Sequence, residues 1–146
     1  RDHIAYFTTV GEKNWLFCGD TLFGAGCGRL FDGTHQQLHK SLQQLNNLPE
    51  DTQIYCAHEY TLSNLAFARA VEPNNVDIEN RLKNEQAKRN KGLPTLPSIL
   101  SLEQKTNPFL RVDHTSVRTA INQYWHQNWH CSDELFTGLR RWKDKF

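Results

Sequence analysis

Methionine is absent from the 146 residues, and the chain opens at Arg1 and enters a strand-like pattern almost at once. We interpret it as a piece of a longer protein. No apolar run approaches the roughly 18 to 20 residues that a membrane-spanning helix needs, so a soluble protein is predicted. An excess of charge is also missing, since 17 basic and 16 acidic residues give a net charge of +1. No global field would therefore recruit nucleic acid or a membrane surface, and ligands must be recognised by a local site.

The four cysteines form no C-x-x-C pair, because they are widely spaced at Cys18, Cys27, Cys56 and Cys131. No hydrophobic leader precedes them. We expect buried free thiols in a reducing, cytoplasmic setting.

The first half of the chain alternates strand and helix patterns. Alternating β-prone residues indicate strands, a capping box of Thr34 with Gln37 indicates a helix start, and a glycine-rich loop ends at Gly33. The predicted elements are a hairpin of strands over residues 3–8 and 14–18, a helix that begins at Thr34, a strand over 53–57 and a helix over about 62–70. This order predicts an α/β layer.

After Pro73 the character changes to charged helical patterns and proline-imposed extended chain. The predicted helices cover residues 76–91, about 116–125 and about 132–145, with an extended passage toward Asn107-Pro108 before the second. We place a domain boundary near residues 73–75. The sequence thus predicts a partial α/β domain at residues 1–74 and an all-helical domain at residues 75–146.

Asp20 and His58 each follow a predicted buried strand. In an α/β layer, such side chains converge at the carboxyl edge of the sheet, where ligands are held. Each residue by itself is a weak signal, because an Asp after a glycine is more often a turn residue and a lone histidine more often a hydrogen-bonded structural group.

Five segments in chain order change this balance. They are F-C-G-D-T-L-F at 17–23, G-C-G-R-L-F-D-G at 26–33, A-H-E-Y-T at 57–61, N-P-F-L-R at 107–111 and R-R-W-K-D at 140–144. Together they resemble the hydroxyacylglutathione hydrolase family, glyoxalase II, of the metallo-β-lactamase superfamily. The resemblance covers essentially the whole chain. It implies the second half of a metallo-β-lactamase-like αββα sandwich, followed by an all-helical C-terminal domain that binds substrate.

The resemblance also implies a metal site. Members of the family hold two divalent metal ions through a T-H-x-H-x-D-H motif, a histidine in a G-H-T turn, a bridging aspartate and a last histidine. Asp20 resembles the bridging aspartate and His58 the last histidine, and both would act in catalysis through the metal. Zinc is the leading expectation, with iron or manganese as alternatives.

The chain departs from this pattern because it contains neither T-H-x-H-x-D-H nor G-H-T. Arg1-Asp2-His3 would align just downstream of the absent turn. We interpret His3 as a structural histidine or as one that supports the site without touching a metal. We therefore expect metal ions to be absent from, or weakly bound to, this chain by itself.

Glutathione carries carboxylates at both ends, so a pocket for it needs fixed cations. Arg140 and Lys143 are three residues apart on one face of the last predicted helix, and they resemble the family's glutathione-binding pair. Arg29 resembles the basic residue of the glycine-rich loop and Tyr60 the tyrosine after the metal histidine. Phe31 occupies a position that can be Tyr, and it cannot donate a hydrogen bond. Without the resemblance, Arg140 and Lys143 would be interpreted as a solvated basic helix end.

The resemblance implies hydrolysis of a glutathione thioester, with S-lactoylglutathione as the usual substrate, in methylglyoxal detoxification. We expect this chain by itself to be catalytically silent. The alternative is a non-catalytic module that binds glutathione conjugates or a protein partner. A persulfide dioxygenase of the same superfamily is disfavoured, because such relatives generally lack the helical extension that residues 76–146 represent. A nuclease is disfavoured by the nearly neutral net charge.

The remaining histidines are predicted to lie at the surface, namely His35, His39, His114, His126 and His130. An uncovered sheet edge predicts self-association.

Overall fold

The structure, a computed structural model, describes residues 3–146. The predicted alignment of Arg1 and Asp2 beside an absent turn lies outside these residues. The elements are β1 (Tyr6–Val10), β2 (Lys13–Gly19), β3 (Leu22–Phe23), β4 (Gly26–Cys27), α1 (His35–Asn46), β5 (Gln53–Cys56), α2 (Thr61–Val71), α3 (Val76–Asn90), β6 (Ser98–Ile99), α4 (Leu100–Thr106), a 3₁₀ helix (Pro108–Leu110), α5 (Thr115–Trp125) and α6 (Ser132–Lys145).

The main sheet has the strand order β1-β2-β5-β6. Strands β1 and β2 form the predicted antiparallel hairpin, which turns at Gly11 with φ of 62°. Strand β5 pairs in parallel with β2. The carboxyl ends of β2 and β5 therefore meet at one edge of the sheet, as the sequence predicted.

One face of β2 and β5 is buried in the apolar core. Leu16, Cys18 and Ile54 share an apolar core with Leu42 of α1 and Leu139 of α6. Burial raises the pKa of Cys18 to about 12, so this thiol stays protonated. A mixed α/β layer followed by helices is thus confirmed, whereas the second sheet of a sandwich stays a prediction.

The second portion is not entirely helical. Residues 98–99 form β6, which pairs antiparallel with β5 at Gln53↔Ile99 and Ile54↔Ser98. Pro94 and Pro97 impose the extended chain that delivers Ser98 to this edge. The all-helical prediction therefore differs at β6, and the boundary near residues 73–75 stays a prediction.

His39 is a correction to the expected surface histidines. It is only 3% exposed, its Nδ1 lies 2.7 Å from Asp133 Oδ1, and its ring stacks on Phe136. The prediction was wrong because the polar partner lies on α6, 94 residues away, where no local pattern reveals it. His114, His126 and His130 are exposed as predicted, while His35 is half-buried.

None of the helices in residues 3–146 combines the length and apolar character that crossing a bilayer demands.

Candidate metal and substrate site

Asp20 and His58 lie together at the carboxyl edge of the sheet, directly after β2 and two residues beyond β5. Asp20 Oδ1 is 3.3 Å from His58 Nε2. The same oxygen is buried and accepts no hydrogen bond from the described residues. The Asp20 side chain as a whole is 45% exposed, but this oxygen is shielded from solvent, and a bound cation would supply the partner that it lacks.

These two side chains fit a divalent metal ion in chemical type, since a carboxylate and an imidazole are ligands for zinc, iron and manganese. Within residues 3–146, no three His, Cys, Asp or Glu side chains are grouped closely enough to hold a metal by themselves. The described part of the chain therefore offers two side chains, Asp20 and His58, as candidate metal ligands.

Aromatic rings surround the histidine. The rings of His58 and Tyr60 are stacked with centroids 5.0 Å apart, and Phe23 lies 5.2 Å from Tyr60 and 6.1 Å from His58. Phe23 is nearly buried and was missed as a site residue. Its place in the G-D-T-L-F segment, three residues after Asp20, was the signal that could have identified it.

The turn that carries His58 is anchored to the helical portion. The Glu59 carboxylate accepts a hydrogen bond from the backbone N–H of Thr95 at 3.1 Å and another from the Thr95 hydroxyl. Thr95 itself is buried. The passage before β6 thus fixes the residue next to the candidate metal ligand.

Hydrogen bonds to its backbone hold the glycine-rich loop from two sides. The Gly28 N–H donates to the carbonyl of Thr21 at 3.1 Å. From the helical portion, Glu103 accepts from the Ala25 N–H at 2.8 Å, and Asn107 donates to the carbonyl of Gly26 at 3.0 Å. The Asn of the N-P-F-L-R segment therefore supports the loop that leads from Asp20 to Arg29.

A cavity of about 860 Å³ joins these features. Asp20, Phe23, His58 and Tyr60 lie on its lining, and so does His3. The lining includes four cationic side chains, Arg29, Lys40, Arg140 and Lys143, and two acidic ones, Asp20 and Asp32. The excess of cations suits an anionic ligand.

The structure brings the five predicted substrate residues to this one cavity. Arg140 is only 3% exposed and donates from Nη1 to the carbonyl of Cys27 at 3.0 Å. Lys143 is half-buried, and its pKa is lowered by burial and by the charges of Arg140 and Arg29. Arg29 and Tyr60 are exposed, and Phe31 is 92% exposed. Phe31 thus makes little contact with the described residues.

Helix α1 contributes a wall that the sequence analysis missed. Its polar face lines the cavity with Gln37, Lys40, Ser41 and Gln44. These positions recur at helical spacing on a face beside the Leu38, Leu42 and Leu45 stripe, and Leu38 also lines the cavity. The spacing identifies a polar face of α1 in the sequence, but it does not show that this face lies beside the site.

Comparison with known proteins decides the family. The family model described as "Hydroxyacylglutathione hydrolase C-terminus" matches residues 59–146, which is more than half of the chain. This chain belongs to the hydroxyacylglutathione hydrolase C-terminus family. The resemblance found in the sequence is confirmed.

Curated hydroxyacylglutathione hydrolases match far beyond that segment. The protein of Pseudomonas syringae pv. syringae (strain B728a) is 52% identical over 144 residues, which cover 99% of this chain and 56% of the relative. The protein of Pseudomonas fluorescens (strain SBW25) is 53% identical, and that of Aeromonas hydrophila subsp. hydrophila 52%, each with 99% of this chain and 55% of the relative covered. The chain spans about half the length of these hydroxyacylglutathione hydrolases.

Proposed function

We propose that the whole protein hydrolyses the thioester of an S-2-hydroxyacylglutathione, with S-lactoylglutathione as the expected substrate, to glutathione and a 2-hydroxy acid. One observation carries the proposal: Asp20 and His58 open into the same cavity as Arg29, Arg140 and Lys143. A reactive end and an anion-binding end within one cavity match a substrate that has a thioester and a carboxylate-bearing tail.

The cationic end binds the glutathione tail. Lys143 and Arg29 offer donors to a carboxylate from the helix and from the loop. Arg140, whose guanidinium is held by the Cys27 carbonyl and Asp144, lines the same cavity and adds positive charge. Tyr60 is next to His58 and can donate from its phenol, which Phe31 cannot do. The thioester carbonyl then lies toward Asp20 and His58.

Asp20 and His58 would hold divalent metal ions, two in the whole protein, with zinc as the first candidate and iron or manganese as alternatives. Such ions supply Lewis-acid activation of water and of the thioester carbonyl. The leaving group is a thiolate whose parent thiol has a pKa of about 8.5 to 9, so its departure needs no strong general acid.

For the 146-residue chain by itself, we propose weak metal binding and no turnover. Two ligands are too few for a tight site of this kind. The cytoplasmic location is part of the same proposal, and it is supported by four free cysteines without a disulfide in the described residues.

Two measurements test the proposal on the purified chain. Calorimetry with S-hexylglutathione, which has no thioester to hydrolyse, is expected to show binding that Lys143→Ala weakens about tenfold or more. The exposed Arg141→Ala on the same helix is the matched control and should bind as the unaltered chain does. The second measurement is hydrolysis of S-lactoylglutathione with added zinc, iron or manganese, where no turnover is expected.

Absence of binding by the unaltered chain would refute the substrate end. Turnover comparable to that of an intact relative would refute the proposed silence of this chain.

A further inference from the structure

The guanidinium of Arg140 is fixed from several sides. Its Nη1 donates to the Cys27 carbonyl, and its plane lies over the Phe109 ring with the central carbon 5.0 Å from the centroid. Its Nε and Nη2 donate to Asp144 Oδ1 at 3.2 and 3.0 Å. Asp144 is thus the acidic partner in this set of contacts around a buried cation.

The same Asp144 oxygen also lies 3.7 Å from Arg29 Nε. Arg29 belongs to the glycine-rich loop and Arg140 to α6, so one carboxylate oxygen draws together cations from two separate elements. Lys143 adds a third positive charge. Burial lowers the pKa of Lys143 most, the charges of Arg140 and Arg29 lower it further, and Asp144 raises it. These three cations repel one another, and the negative charge of Asp144 offsets part of that repulsion.

Removing Asp144 would have two opposing effects on the binding of an anionic ligand. It would make the site more positive, but this gain is small because the carboxylate is nearly half exposed and screened by water. It would also leave the Nε and Nη2 donors of Arg140 without their acceptor in a buried place. Arg140 would then lose its fixed orientation at the cavity, and this loss weakens anion binding more than the added positive charge strengthens it.

We propose that Asp144 is a positioning residue for anion binding, so that the cavity binds a ligand carboxylate more tightly with this acidic side chain than without it. The inference rests on the function proposed above. It assigns to Asp144, the last residue of the R-R-W-K-D segment, a role that its charge alone would not suggest, because an acidic side chain by itself repels an anion.

Calorimetry with S-hexylglutathione tests the proposal with three variants of this chain. We expect Asp144→Ala to weaken binding about tenfold, which corresponds to the loss of one charge-assisted hydrogen bond. Asp144→Asn keeps an acceptor oxygen and should bind with intermediate affinity. Glu134→Gln removes the same charge from an exposed position of α6 and should leave the affinity unchanged.

A second readout separates positioning from general stability. The side-chain Nε–H signal of Arg140 in an NMR spectrum should exchange slowly with solvent in the unaltered chain and in Glu134→Gln. It should exchange fast in Asp144→Ala. Binding and exchange are both measured well below the melting temperature of each variant, so that only folded protein is compared.

Equal or tighter binding by Asp144→Ala, or an unchanged Arg140 signal, would overturn the inference while leaving the proposed function intact. An unaltered chain that does not bind S-hexylglutathione would instead overturn the proposed substrate end together with this inference.

Discussion

Glu72 is a buried carboxylate at the end of α2, and the chain surrounds it with donors. Arg111 donates to it from Nε and Nη2, both at 3.0 Å, and the Ser116 hydroxyl donates at 2.6 Å. Burial by itself would raise the pKa of Glu72, but the hydrogen bonds from Arg111 and Ser116 outweigh it and lower the pKa below the ordinary glutamate range. The residue thereby joins α2 to the start of α5.

The lowered pKa of Glu72 gives stability a defined pH dependence. Because protonation is easier in the unfolded chain, the contribution is complete above the unfolded glutamate pKa of about 4.3 and is lost as the pH falls through the lower folded value. Glu72→Gln should cost about 3 to 5 kcal/mol of unfolding free energy at pH 7, since it leaves Arg111 buried without a counter-charge. Urea unfolding from pH 7 to 3 measures both effects.

The exposed Glu12→Gln is the control for this experiment and should keep the pH dependence of the unaltered chain. If Glu72→Gln lost stability with falling pH as steeply as the unaltered chain, the assignment to Glu72 would be incorrect.

Single-residue predictions succeeded where the determinant was local. Asp20 and His58 could be placed side by side because each follows a strand of one sheet. Phe23 and the His39–Asp133 pair could not, because their roles depend on partners brought together by tertiary packing. The Arg140–Asp144 pair, in contrast, has the i,i+4 spacing of a helical ion pair, so its signal is local.

At the scale of elements, the glycine-rich loop is a short hairpin of β3 and β4 folded against the strand ends. Gly28 comes so close to the Asp20 backbone that a Cβ atom there would overlap the Asp20 carbonyl oxygen. The neighbour is backbone and cannot rotate away, so any side chain at position 28 must displace the segment that carries Asp20. A glycine here fixes the position of the candidate metal ligand.

We therefore expect Gly28→Ala to lower the unfolding free energy by about 1 to 3 kcal/mol, the usual cost of overpacking. It should also weaken S-hexylglutathione binding, because Arg29 is the next residue. Gly11→Ala is the contrast: its φ of 62° is unfavourable for alanine, but a Cβ atom there meets nothing within 4 Å. It should cost roughly 1 kcal/mol and leave binding intact. Comparable binding by the two variants would contradict the close-approach argument.

Helix prediction depended on length and apolar periodicity. Helix α1 begins within a residue of its predicted start, and α3, α5 and α6 lie within a residue of their predicted bounds. Helix α4 was missed because its seven residues bury Leu100, Glu103 and Thr106, a set that is two-thirds polar. Glu103 is buried because it pairs with Arg81 at 2.6 Å, a contact between helices that no apolar pattern records.

At the scale of the whole molecule, the apolar core covers one face of β2 and β5 and leaves the other face of the sheet open. Tyr6, Val10 and Phe17 are exposed on the other face, and Phe17 stacks on Tyr55 with ring centroids 5.2 Å apart. Strand β1 is also an edge strand with unpaired backbone groups. An exposed apolar face beside an open edge is typical of an association surface.

We expect the 146-residue chain to self-associate through this face at micromolar concentrations, because pairing two copies buries the aromatic rings and satisfies the edge of β1. Tyr6→Lys places a charge in the face and should weaken the association at least tenfold, measured by sedimentation equilibrium. Val76→Lys is the matched control, since Val76 is as exposed as Tyr6 but lies on α3, away from the sheet. A chain that stays monomeric at high concentration, or an equal effect of the two substitutions, would show that the uncovered face does not drive association.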